Sequence, residues 1–266
     1  MNKMNIALRE LTEMDELAAQ RSPLHELHPA AKLITTVIYI MTVVSFHKYD
    51  LGRLVPMALL PVVLFQLGGI PVRTCFFKLR VVLPLVMAVG LFNPLFGRTP
   101  LLYMGHVPVS GGVVSMLTLM LKGVFCLMAS FLLAASTPVD SLCAALRKMH
   151  FPGLLVTLFL LTYRYIGVLT EELAVMTDAY HLRAPGQKGI HVSAWGSFLG
   201  QLLLRSMDRA QEIYAGMLLR GYHAHFHYAP IRKFALKDAA YVLVFTGAVL
   251  FLRFVPVAQV LGGLFI

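Results

Sequence analysis

The chain alternates long apolar runs with short polar joints. Screened for stretches long and apolar enough to enter a bilayer, it predicts membrane helices over about 31–46, 51–67, 81–96, 113–135 and 235–255. Pro56, Pro61 and Pro84 interrupt the second and third of these. A proline has no N–H and frees a carbonyl one turn back, so neighbouring helices must satisfy that carbonyl and a compact bundle is predicted.

Between the fourth and fifth runs the pattern changes. The stretch STPVDSLCAALRKM from Ser136 has a capping residue, a proline near its first turn, and Arg147 and Lys148 at its end. It reads as a helix on the cytoplasmic surface. Residues 151–169 are apolar, but they hold Arg164 and are flanked by Arg147, Lys148, Glu171 and Glu172. That segment is read as interfacial or partly buried against the bundle, in preference to a sixth span. LRSMDRAQEIYAGMLLRGY, residues 204–222, then forms an amphipathic helix. Arg205, Arg209, Glu212, Gly216 and Arg220 fall on one face, and Leu203, Met207, Ala210, Tyr214 and Met217 on another. Gly221 is placed to end this helix, with Arg220 projecting from its last turn. The predicted fold is an all-α polytopic membrane bundle forming one domain. Residues 1–135 supply four membrane helices, 136–233 cytoplasmic or interfacial helices, and 234–266 the final membrane helix.

Composition agrees with a membrane setting and narrows the chemistry. Hydrophobic residues make up 58% of the 266 and charged residues 14%, with a mean hydropathy of +0.73. The net charge of +10 would suggest nucleic acid in a soluble chain. In a membrane protein it reflects lysine and arginine held on the cytoplasmic side. With the N-terminus inside, most basic residues fall in the cytoplasm, and only Lys48, Arg53, Arg98 and Arg253 fall outside. The N-terminal stretch lacks the apolar core of a cleavable signal, so a multi-pass protein of a bacterial inner membrane is expected. Cys75, Cys126 and Cys143 show no paired spacing and read as small buried residues.

Catalysis finds little support. The thirteen carboxylates fall outside the cores of the apolar runs, which argues against a proton relay or an intramembrane cation site. No phosphate loop, zinc helix or nucleophile elbow is present, so any energy source lies on another subunit. His223, His225 and His227 alternate, and an extended strand would align them as metal ligands, but no carboxylate or cysteine stands beside them and a wet loop is the favoured reading. His25 and His28 are expected to serve backbone groups. Thr118, Lys122, Cys126 and Ser130 repeat every four residues as a small, polar stripe suited to packing on protein. That protein is either the rest of this chain or another membrane subunit. A mid-membrane ammonium there needs a partner.

Two helix ends carry a resemblance. DAYHLRAPG around Arg183 and YAGMLLRGY around Arg220 resemble the paired Ala-Arg-Gly signatures of the energy-coupling factor transporter T component, the EcfT/CbiQ family. RSPLHELHPAAKL, LRKMHFP and LLTYRYIGVLTEE extend the likeness over nearly the whole chain, and LTYRY and RSPLH are most similar to the cobalt branch. Leu182 and Leu219 stand where the signature has alanine, and Ala184 where it has glycine.

The resemblance implies a non-catalytic coupling subunit. Leu182, Arg183 and Ala184, with Leu219, Arg220 and Gly221, would contact two cassette ATPase subunits, on the helices that carry Arg205, Arg209 and Glu212. A substrate-binding membrane subunit and a small accessory membrane subunit would complete the assembly. ATP and magnesium would bind the partners, this chain would hold no cofactor or metal, and cobalt would be the ion moved. The rival readings are a self-sufficient metal channel or carrier and a membrane enzyme using the histidines.

Overall fold

A computed structural model describes residues 12–20, 22–80, 84, 86–88, 90–91, 100–104, 107–187, 189–223 and 232–254. In chain order its elements are α1 (Pro29–Val44), α2 (Leu51–Gly68), α3 (Val72–Leu79), an antiparallel hairpin of β1 (Pro100–Met104) and β2 (Val107–Ser110), α4 (Gly111–Ser136), α5 (Val139–Lys148), α6 (Gly153–Arg183), α7 (Trp195–Leu219) and α8 (Leu236–Phe254). The fold is helical, as predicted. By length and composition α2, α4 and α6 can each cross a membrane, and α1 is apolar but shorter, at 16 residues. Most of the crossing expected at 81–96 lies outside the described residues.

The described residues form two compact units. One is drawn from Leu17–Pro138 and from Arg232 onward, the other from 12–16 and from Val139 to His223.

In the first unit α1 packs against α4 and α8, around a core that includes Tyr39, Val43, Met57, Phe125, Phe245 and Val249. Pro61 acts as anticipated. Pro61 cannot donate to the carbonyl of Met57 one turn back, and the buried Tyr39 hydroxyl donates to that carbonyl instead, at 3.0 Å. Around Pro56 helix α2 tightens into a 3₁₀ turn over Val55–Ala58. Close approach needs a glycine at one place, since a Cβ on Gly123 of α4 would meet Val86 at 2.8 Å.

Lysines fix the register of α1 against α4, and they do so reciprocally. Lys32, buried near the start of α1, donates to the carbonyl of Ser136 at the end of α4, at 2.6 Å, and to that of His25 at 3.3 Å. Lys122 of α4 donates to the carbonyls of Val44 (3.1 Å) and Phe46 where α1 ends. Arg253 of α8 joins it, donating to the carbonyls of Thr42 and Ser45 and lying over the Phe46 ring. The last carbonyls of a helix have no partner within it and carry its negative pole, so a cation is held there without a carboxylate. The solitary Lys122 thus has partners inside its own chain. Of its stripe, Thr118 is buried, Cys126 packs against the core, and Ser130 is exposed. Lys122→Met should leave the C-terminal carbonyls of α1 short of a donor, costing about 1–3 kcal/mol. Thermal unfolding in detergent should show a lowered midpoint.

One carboxylate, although outside the core of its apolar run, is buried by the fold. Asp238, in the first turn of α8, is fully buried. Its oxygens accept from both the His28 backbone N–H (2.9 Å) and the Ala235 N–H (2.8 Å), while the Arg232 guanidinium donates to both oxygens at 3.0 and 2.9 Å. Burial is tolerated because the charge is paired and its lone pairs are filled. Nearby, the His28 ring caps α1 by accepting from the Ala30 N–H (3.1 Å), and His25 Nε2 lies 3.0 Å from the Leu17 carbonyl and 3.3 Å from that of Ala135. Both histidines serve backbone groups, as expected.

In the second unit α5 lies on the first half of α6 through Cys143, Val156 and Leu160. Burial pushes the Cys143 thiol up, and in the first unit it pushes the Cys75 thiol up to about 11. These are unreactive packing residues. Residues 151–169 are not a separate segment. From Gly153 they are the first part of α6, a single helix of 31 residues whose exposed Arg164 lies eleven residues from its start. The Tyr163 hydroxyl donates to Asp15 at 2.8 Å and ties the 12–18 helix to it.

Candidate functional site

Helices α6 and α7 form a hairpin joined through 184–194, and each ends at an arginine. Helix α6 stops because Pro185 cannot continue it. The Ala184 N–H makes the last helical bond, to Tyr180 O at 3.0 Å. The chain reverses over Ala184–Gln187, with Gly186 at φ 89° and the Gln187 N–H returning to Ala184 O. Proline followed by a left-handed glycine is the composition of a type II turn. Tyr180 braces the return, its hydroxyl donating to Gln187 Oε1 (3.0 Å) and accepting from the His191 N–H (3.2 Å). His191 then caps the turn Val192–Ala194 that leads into α7.

Helix α7 ends differently. Gly221 takes φ 80°, the Gly221 N–H bonds Leu218 O at 2.9 Å, and the Tyr222 N–H reaches back to Met217 O at 3.0 Å. This double closure satisfies the Met217 and Leu218 carbonyls and leaves Arg220, the capping residue, exposed. The expected stop at Gly221 is found.

One member of the charged face of α7 reaches α6. Arg205 forms a hydrogen-bonded ion pair with Glu172 of α6, and Arg209 lies 3.6 Å from Glu212. On one side of that pair a cleft of about 500 Å³ is lined by Tyr180, Arg183, Ser197, Gln201 and Arg205. On the other, Glu172, Asp208, Arg209 and Glu212 line a second cleft. The apolar side of α7, with Leu203, Met207 and Tyr214, is exposed. Arg205, Arg209 and Glu212 therefore meet partners within the hairpin, whereas Arg183 and Arg220 are exposed and have no ion pair among the described residues. Arg183 lies beside the start of α7 and Arg220 at its end, and 25 helical residues extend about 37 Å.

Among the described residues no group of three histidine, cysteine or acidic side chains is placed to hold a metal ion. His223 is exposed just past α7, and His225 and His227 lie outside the described residues. The sequence marks Lys122 as needing a partner without naming it, and the contacts of Lys32 and Arg253 and the Asp238 cluster were missed. Asp238 had one local cue, its place three residues after Ala235, where a carboxylate can accept from a backbone N–H at a helix start.

Helices long and apolar enough to cross a membrane, followed in the chain by a helical hairpin, are those of a membrane protein. The chain belongs to the cobalt transport protein family, CbiQ, which it matches over residues 20–228. It is 32% identical over 115 residues to the cobalt transport protein CbiQ of Rhodobacter capsulatus, covering 42% of this chain and 44% of that one. It is 29% identical over 103 residues to the nickel permease LarQ of Lactiplantibacillus plantarum, covering 39% and 38%. The energy-coupling factor transporter transmembrane protein EcfT of Limosilactobacillus fermentum is 25% identical over 219 residues, covering 76% and 80%. The match thus spans less than half the length of the first two relatives and four-fifths of the third.

Proposed function

We propose that this chain is the non-catalytic coupling subunit of an energy-coupling factor importer for cobalt. It transmits ATP-driven motion of two cassette ATPases to a substrate-binding membrane subunit, in a bacterial inner membrane with its N-terminus in the cytoplasm. The observation that carries this reading is the pair of exposed arginines at Arg183 and Arg220, which have no ion pair among the described residues and end their helices about one α7 length apart. A guanidinium makes fixed bidentate bonds to carboxylates, so a moving groove can drag a rigid helix with it. ATP and magnesium belong to the cassettes. Cobalt is preferred because the matched family and the Rhodobacter relative are named for it, and the choice over nickel rests with the substrate-binding subunit.

The test is co-purification together with orientation. The chain should carry cassette ATPases through solubilisation and move no cobalt alone in proteoliposomes. In a cysteine-free background, Gln187→Cys should react with an impermeant maleimide only once the cytoplasmic face is opened. Labelling in intact cells would place the α6–α7 turn outside, beyond reach of any ATPase, and would overturn the proposal. Solitary transport would favour a self-sufficient carrier.

A further inference from the structure

The corner between α5 and α6 carries charge that the fold does not use. Arg147, Lys148 and His150 are exposed within one short stretch of chain and form no ion pair among the described residues. Nor are they needed to finish α5. His150 takes a left-handed φ of 65°, and the Met149, His150 and Phe151 N–H groups close on the carbonyls of Ala145, Arg147 and Leu146. Arg147 is held across the corner, donating to Phe151 O at 3.3 Å and lying against Gly153, where a Cβ would stand 3.0 Å from its Cζ. That position sets a guanidinium beside the first turn of α6, whose dipole offers a cation nothing. Apolar side chains interleave with the charge and then take over. Met149, Phe151, Leu154, Leu155 and Leu158 are exposed, Leu154 at 79%, while Val156 and Leu160 pack on Cys143 of α5.

We propose that this corner is a lipid contact, in which Arg147, Lys148 and His150 bind the phosphate groups of anionic phospholipid and Met149, Phe151, Leu154 and Leu158 enter the acyl layer. Exposed apolar groups alone would not name their cover. The order of charge and hydrocarbon does, because a bilayer presents anionic oxygen at its surface and acyl chains just below, and a basic cluster abutting an apolar helix start matches both at once. From Gly153 onward α6 is long and apolar enough to enter a membrane. Each basic residue at such a surface adds roughly fivefold in affinity for anionic lipid. Only a membrane setting is needed, so failure here leaves the docking of ATPases untouched.

The experiment places the full chain in neutral detergent and follows bound lipid by native mass spectrometry as phosphatidylglycerol or phosphatidylcholine is added. The wild type should hold phosphatidylglycerol at least about tenfold more tightly than phosphatidylcholine. Arg147→Gln with Lys148→Gln should lose at least about tenfold of that affinity, whereas Lys233→Gln with Lys237→Gln, an exposed pair of equal charge, should stay within about threefold of wild type. Phe151→Ser should weaken both lipids alike. These side chains are exposed, so thermal midpoints without added lipid should stay near that of the wild type. Equal retention of the two lipids by the wild type, or wild-type retention by the Arg147 and Lys148 pair, overturns the proposal. Displacement of the lipid by glycerol phosphate at matched concentration makes the corner a site for free phosphate and overturns the lipid assignment. So does loss of a co-purifying protein from the Arg147 and Lys148 pair while its lipid affinity is unchanged.

Discussion

Cobalt uptake should fall to background when Arg183 and Arg220 are both replaced by alanine, while the chain remains inserted and folded. Both side chains are exposed at helix ends and neither has an ion pair among the described residues, so removing them should change stability by no more than about 0.5 kcal/mol. On the docking role proposed above, their loss is felt at the partner. An arginine central to an interface typically contributes about 2 kcal/mol or more, roughly thirtyfold in affinity, and losing two would weaken assembly about a thousandfold if the ends act independently. Either single variant should keep one engaged end, leaving reduced uptake and ATP hydrolysis that no longer tracks transport. Radiolabelled cobalt accumulation, measured beside hydrolysis by the co-purified ATPases, separates these outcomes. Normal uptake by the double variant would refute the coupling role.

That experiment targets the most legible part of the sequence. Proline and glycine punctuate both helix ends, and backbone rules act over a few residues. The positions of Pro185, Gly186 and Gly221 therefore sufficed to place the stops that the structure contains. The apolar runs were legible for a related reason, since a helix in lipid must be long and uncharged. Here α1, α2, α4 and α8 lie within a few residues of their expected bounds. Helix α6 runs well past the apolar stretch 151–169 that the pattern marks off. Arg164, Glu171 and Glu172 interrupt the apolar run, yet a helix continues wherever its backbone bonds continue, and charge on one face does not end it.

Long-range polar pairing was the least legible. Lys32 reaches Ser136 across 104 residues and Lys122 reaches Val44 across 78. Their acceptors are backbone carbonyls, which every residue has, so no residue type marks the partner. A lone lysine in an apolar run announces that something must accept from it, and only the packing of antiparallel helices says what.

Asp238 shows how much such a contact carries, and its removal should be the most destabilising single change in the membrane unit. In Asp238→Ala the buried His28 N–H and the half-buried Ala235 N–H lose their acceptor, at about 1–3 kcal/mol each, the second nearer the lower figure. Arg232 loses its counter-ion but is half exposed, so water recovers part of that loss. A total of about 3–5 kcal/mol follows, a large share of a typical folding free energy. Asp238→Asn should fall between, because its one carbonyl oxygen can serve a single N–H while its amide faces the other N–H and the guanidinium. Arg232→Ala should also cost less than Asp238→Ala, since the carboxylate keeps both backbone donors. The ordering of thermal midpoints in detergent, wild type above Asp238→Asn above Asp238→Ala, checks the account. If Asp238→Ala melts with the wild type, the link from the start of α1 to the start of α8 bears no load, and the two ends are held by the apolar packing around Phe245 and Val249 alone.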